Sequence, residues 1–463
     1  MIYYNRVYPA CRSFVCGAKI CAKEGTKEMK LRKTLISLFA AAAVAAAFSA
    51  AASAAKITVG DGGSYTDFTA LMTAVKGGEQ TLAAGDTIQL AGDVENISTV
   101  TILEGYELTL DLAGHKITTS VQSGADLNTK HHYAIDNYGK LTIIDSSADS
   151  SGLIQARGIA NSANGVMIIE GGTFEAIDAN GGAAVWNEAD LTVNGGTFKS
   201  IHVGSSSDSG GVGCLNNSGK ALITGGTFSG ANKRTYAIIS TGEIEITPAE
   251  GKTVEVRGAH GGLAVDSGTA TVNGGSYSSD DYYGLYVSND GVGIDPMTAA
   301  VTVNGGTFDG KSYSVWIGSD YNNPVNSTIE IYGGTFLKPM NAQDCTREGA
   351  IVVYGGTFTN YSGLDEYLAD WKVFDENGNV VDLQPNMGEA VQFIDVETNE
   401  KAGYFFNAQT TADKTAAIAR FSGDGKTLEK TLDISSIEGE GEIEFSILLL
   451  NAPETVTGTI IYK

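Results

Sequence analysis

Val193-Asn-Gly-Gly-Thr-Phe198 reads VNGGTF, and close copies recur along most of the 463-residue chain, with the aromatic at Phe174, Phe198, Phe228, Tyr277, Phe308, Phe336 and Phe358. Successive spacings are 24, 30, 49, 31, 28 and 22 residues. The 49-residue gap spans nearly two repeats, and a degenerate copy lies inside it at Gly242-Glu-Ile-Glu-Ile-Thr247, where the strand pattern survives without its Gly-Gly. Repeats of this length are the mark of a solenoid.

The side chains decide which solenoid. Leu191-Thr-Val193, Val301-Thr-Val303 and Ile329-Glu-Ile331 alternate apolar and polar residues as half-buried strands do, and helical periodicity is absent. Gly-Gly allows backbone angles closed to other residues, so the chain can turn before Thr-Phe begins the next strand. The ring then points inward and stacks on its copies in adjacent turns. A second strand precedes each of these, in Ala184-Val-Trp-Asn187, Gly213-Cys-Leu-Asn216, Ala237-Ile-Ile-Ser240, Leu263-Ala-Val-Asp266 and Leu285-Tyr-Val-Ser288. Each ends on a small polar residue suited to bond turn backbone and its stacked copies. The expected fold is all-β, a right-handed parallel β-helix of about ten coils.

The pattern resembles the pectate-lyase-like right-handed β-helix superfamily, and more closely the GGTF-repeat secreted or surface proteins of anaerobic bacteria, which are regarded as adhesin-like. The resemblance covers roughly residues 56–375. Tyr65 to Val75 reads as a short amphipathic cap helix, followed by a first strand at Gly85-Asp-Thr-Ile-Gln-Leu90. Residues 56–363 are thus the capped β-helix and 364–386 its C-terminal cap, with Asn377-Gly378 as a hairpin turn. Strand patterns at Gly403–Phe406, Ala416–Phe421, Gly441–Phe445 and Thr455–Tyr462 make residues 387–463 a small antiparallel β-sandwich.

Ahead of the repeats, Lys30, Arg32 and Lys33 precede an apolar run from Leu35 to Phe48 that closes on Ala52-Ser-Ala54. This reads as a secretory signal peptide over residues 29–55, cleaved near Ala54, with no membrane span in the mature protein. Residues 1–28 form a leader before Met29, so the start at Met1 or Met29 stays open. Cys11, Cys16 and Cys21 lie in that leader, and Cys214 and Cys345 are expected as free thiols. Residues 1–55 hold 8 Lys/Arg and 2 Asp/Glu, which leaves 22 basic and 52 acidic residues, a net charge of −30. That balance argues against nucleic acid and against polyanionic substrates.

Enzymes of the resembled superfamily cleave acidic polysaccharides with carboxylates on adjacent coils, and Asp280-Asp281 is the nearest acidic pair. A solvated loop is the bland reading of that pair, since paired carboxylates must face one bond at a set separation. Arg157, Arg234, Arg257 and Arg347 form no column, and His115 and His131-His132 lack a third ligand at metal spacing. Asn289, Asp290 and Asp295 could wrap calcium, against the alternative of a plain Gly-rich turn. Tyr282, Tyr283, Tyr313, Trp316 and Tyr321 crowd into consecutive long repeats as a candidate ligand surface, unless Trp316 and Tyr286 point into the coil. The expectation is a monomeric, non-catalytic, secreted or cell-surface protein that binds a glycan or protein ligand. A polysaccharide lyase or glycoside hydrolase and a structural spacer stand as alternatives.

Overall fold

Each coil is built from three short strands joined by three corners. In the computed structural model the described residues are 55–60, 63–119, 133–178, 183–202, 213–230, 235–288, 298–318, 327–341, 350–369 and 372–382, with residue 435 and the strands beyond 386, chiefly as backbone. They fall into two units, residues 1–362 and 363–463.

The first unit is a parallel β-solenoid with three long sheets of 13, 11 and 10 strands. A strand of sheet 1, such as Asp190–Val193, leads through Asn194-Gly195-Gly196 into a strand of sheet 2, Thr197–His202. A variable connection then leads to a strand of sheet 3, Leu215–Asn217, and a tight turn returns the chain to sheet 1 at Lys220–Ile223. Each strand pairs in parallel with the equivalent one in the coils before and after. The exceptions are Ile57–Val59 and Gly63–Tyr65, which pair antiparallel at the start of sheet 1.

The aromatic column is continuous in register. Ile117, Ile154, Phe174, Phe198, Phe228, Val256, Tyr277, Phe308, Phe336 and Phe358 are successive cross-strand partners in sheet 2, and all are buried. Phe174 to Phe228 stack at 5.0 and 4.7 Å between ring centroids, and Tyr277 to Phe358 at 4.9, 5.0 and 4.4 Å. Val256 interrupts the stack in the degenerate repeat anticipated at residues 242–247, whose own strand is Glu243–Ile246. Tyr277 keeps its place in this dry column because its hydroxyl donates to the Gly274 carbonyl at 2.8 Å.

The two glycines of the motif do different jobs. Gly196 has φ 109°, and its counterparts lie between 95° and 122°. Gly195 needs no unusual φ, but a Cβ there would stand 2.7 Å from the carbonyl oxygen of Glu170 in the preceding coil. One glycine turns the corner and the other lets the coils close up.

The corner from sheet 3 to sheet 1 is held by an asparagine ladder. Asn137, Asn161 and Asn187 each donate from Nδ2 to the next member's Oδ1, at 2.9, 2.8 and 2.7 Å, and Asn217 donates to the Ser240 hydroxyl at 3.0 Å. The same amides also bond turn carbonyls, as Asn161 does with Asp190 at 2.8 Å. The register corrects the reading by sequence. Asn217 rather than Asn216 holds the ladder position, and Val265 and Val287, buried and aliphatic, continue it where Asp266 and Ser288 were expected.

The cap helix spans Phe68–Gly77, with the Asp67 carboxylate accepting from Ala70 N at 2.8 Å, and buries Phe68, Leu71 and Ala74. In the second unit, Asp365–Tyr367 is a single 3₁₀ turn, and Lys372–Phe374 pairs antiparallel with Val380–Asp382 about the anticipated hairpin. The remaining described strands form a four-stranded and a three-stranded antiparallel sheet, the strand set of a small C-terminal sandwich.

Candidate functional site: an aromatic platform on the outer face

Strand alternation decides which aromatics face out. In Tyr283–Ser288, Leu285 and Val287 are fully buried partners of Leu263 and Val265, so Tyr286 takes the opposite face. Trp316 is in register with Tyr286, and Tyr313 with Tyr283. Trp316 and Tyr286 therefore lie on the outside of the coil and are shielded by neighbouring rings.

Seven rings come together there. His260 approaches Tyr282 at 4.7 Å and Tyr283 at 5.6 Å between centroids. Tyr283 contacts Tyr286 at 5.5 Å and Trp316 at 5.2 Å, and Tyr313 meets Trp316 edge to face at 4.9 Å. Tyr236 reaches Tyr286 at 5.8 Å across the intervening strand Gly261–Val265. That strand offers only Gly261 and Ala264 on this face, and a Cβ on Gly261 would stand 2.5 Å from the Tyr236 ring. Tyr236 and Tyr286 form the buried floor, while Tyr283, Tyr313 and Trp316 are half-buried and Tyr282 is 44% exposed.

Of the sequence candidates, Tyr282, Tyr283, Tyr313 and Trp316 are brought together, while Tyr321 lies outside the described residues. Tyr236 was missed because 46 residues separate it from Tyr282, and His260 reads in sequence only as a His-Gly step ahead of Asp280-Asp281, not as an aromatic of the long repeats. The signal was present: Tyr236, Gly261, Tyr283 and Tyr313 occupy one repeat position.

Asp280 and Asp281 border the platform without converging on one point. Asp280 Oδ1 is 2.6 Å from Nη2 of Arg257 in the preceding coil, and Asp281 Oδ1 is 3.9 Å from Nζ of Lys311 in the following one. Each carboxylate is drawn to its own cation. A carboxylate held by several hydrogen bonds lies elsewhere, at Asp111, which accepts from Gln89 Nε2 at 2.7 Å, Ser146 N at 2.9 Å and Ala113 N at 3.0 Å. Burial pushes its pKa up, but the hydrogen bonds from Ser146, Gln89 and Ala113 outweigh it and hold it below the ordinary value. Its lone pairs are spent bracing a corner.

Asn289, Asp290 and Asp295 lie outside the described residues, as do His131, His132 and Cys345. Among the described residues, no group of three or more His, Cys, Asp or Glu is placed to hold a metal ion. Cys214 is buried, with its thiol donating to the Ala237 carbonyl at 2.8 Å, and burial raises its pKa to about 12. Among the described residues, no helix is long and apolar enough to cross a membrane. No family model, curated protein or solved structure matches the chain at a significant level.

Proposed function

We propose that this chain is a secreted or cell-surface, non-catalytic β-helix protein of adhesin type that binds a neutral glycan through the aromatic platform on sheet 3. The signal-like segment before Ala54 and the resemblance of the GGTF repeats to adhesin-like surface proteins support the location and class. The observation that carries the binding reading is the seven-ring patch, repeated from strand to strand on an outer face.

The rings touch one another, so they make a platform rather than a cage, and a platform suits the flat C–H faces of pyranose rings. From Tyr236 to Trp316 the platform crosses four strands, three of which supply rings, and spans roughly 14 Å at about 4.8 Å per coil. That step is close to the rise per unit of an extended β-linked glycan, so a chain lying along the solenoid axis meets the equivalent rings of Tyr283 and Tyr313 at two successive sugars. Arg257 and Lys311 offset the two bordering carboxylates, and the strongly acidic remainder of the chain disfavours a polyanion.

A glycan array with the full chain, run beside a reducing-sugar release assay, tests this. The expected result is retention of neutral oligosaccharides without sugar release, weakened about thirtyfold by Trp316→Ala or Tyr313→Ala. Binding indifferent to both substitutions would remove the platform from the account. Sugar release abolished by Asp280→Asn with Asp281→Asn would replace it with a polysaccharide-cleaving enzyme.

A further inference from the structure

Beneath the cap helix, the N-terminal coils leave a cavity of about 680 Å³. It is partly open to solvent, and about 300–1,000 Å³ is the range of sites that hold small organic ligands. Its walls are mainly aliphatic: Leu71, Met72 and Val75 from the helix face Ile88, Ile102 and Leu110 from the first coils. An apolar cavity of this kind gives water few partners and takes up apolar ligands instead. The helix buries Phe68, Leu71 and Ala74 but leaves Met72 and Val75 only half covered, so part of its apolar face has no packing partner.

The lining also carries a charge. Lys76, in the last turn of the helix, borders the cavity and makes no ion pair with any described residue, and Thr73, three residues earlier on the same side of the helix, borders it too. The Thr73 hydroxyl is already spent, donating to the Thr69 carbonyl at 2.7 Å, so the Lys76 ammonium is the group that complements a chain with an anionic head in this aliphatic chamber.

We propose that this cavity binds a single-chain anionic amphiphile, a long-chain carboxylate, with its hydrocarbon tail among Leu71, Met72, Val75 and Ile102 and its head at Lys76. The site is independent of the aromatic platform and formed by different elements.

Calorimetric titration of the full chain with dodecanoate and with dodecanol, both below the concentrations at which they aggregate, tests the proposal. Dodecanoate is expected to bind one to one, about tenfold more tightly than dodecanol. Lys76→Ala should erase that difference while leaving dodecanol binding in place. Val75→Trp and Met72→Trp, each filling the chamber, should weaken both ligands at least tenfold while the circular dichroism spectrum of the solenoid is kept. Two substitutions guard against one failing to fold. The proposal is overturned if neither amphiphile binds, if acid and alcohol bind equally to the unaltered chain, or if folded Val75→Trp and Met72→Trp bind as the unaltered chain does.

Discussion

Gly195 and Gly196 are adjacent and chemically identical, yet an added methyl group would fail at each for a different reason. At Gly196 the backbone sits at φ 109°, which costs an L-residue about 1–3 kcal/mol. At Gly195 the methyl would overlap a carbonyl oxygen of the preceding coil. Gly196→Ala and Gly195→Ala should each lower unfolding free energy by about 1–3 kcal/mol in urea titrations. Asn161 is more exacting, since it donates to Asn187 and Asp190 and accepts from Asn137 inside the coil. Asn161→Ala strands several buried polar groups and should cost about 3 kcal/mol or more. Ser240→Ala, at the ladder's end, should cost about 1 kcal/mol. The Cys214 thiol, raised to about 12 from an ordinary 9.0, gives a pH signature. Between those values the unfolded chain has lost a proton that the folded chain keeps, so stability falls as pH rises through that window. Cys214→Ala should flatten the alkaline limb of the melting-temperature profile, and the native thiol at this position should resist alkylation until the chain is denatured.

The column of rings is the element that was most legible in the sequence. Its period, its inward direction and the degenerate repeat in the 49-residue gap all followed from strand alternation and glycine placement. The asparagine ladder was legible only in kind. Asn216 and Asn217 are adjacent and chemically identical, and it is the alternation from buried Leu215, together with the pairing with Asn187, that assigns the ladder position to Asn217. The platform was half legible for a related reason. Tyr282, Tyr283, Tyr313 and Trp316 are near in sequence, whereas Tyr236 enters only because Gly261 and Ala264 leave a gap for its ring to cross. Phe308 stacks on a ring at each side and Phe358 on one, so Phe308→Ala should cost about 3–5 kcal/mol and Phe358→Ala less, by equilibrium denaturation.

At the scale of the molecule, a solenoid divides its labour by face. Sheet 2 carries the ring column, the sheet 3 corner carries the amide ladder, and the outer face of sheet 3 carries the aromatic platform. Cross-coil ion pairs such as Lys140 with Glu107 and Lys220 with Glu243 line the exposed outside of sheet 1, where each adds little beyond solubility and register. Because each coil touches only its neighbours, stability is a sum of local terms, and binding spread over several coils inherits the same spacing. Both the platform and the ladders depend on parallel, in-register stacking of repeats, which makes register the quantity to measure. Glu175 and Lys199 are opposed on the outer face of sheet 2, as are Thr302 and Glu330 on sheet 1, about 4.8 Å apart along the solenoid axis. Replacing either pair with cysteines and mapping oxidised peptides by mass spectrometry should give a crosslink in each case. Cysteines at Glu175 and Ser229, two coils apart, should give none, since about 7 Å between Cα atoms is the limit. A crosslink between Glu175 and Ser229, with none between Glu175 and Lys199, would contradict the stacked coil on which the account rests.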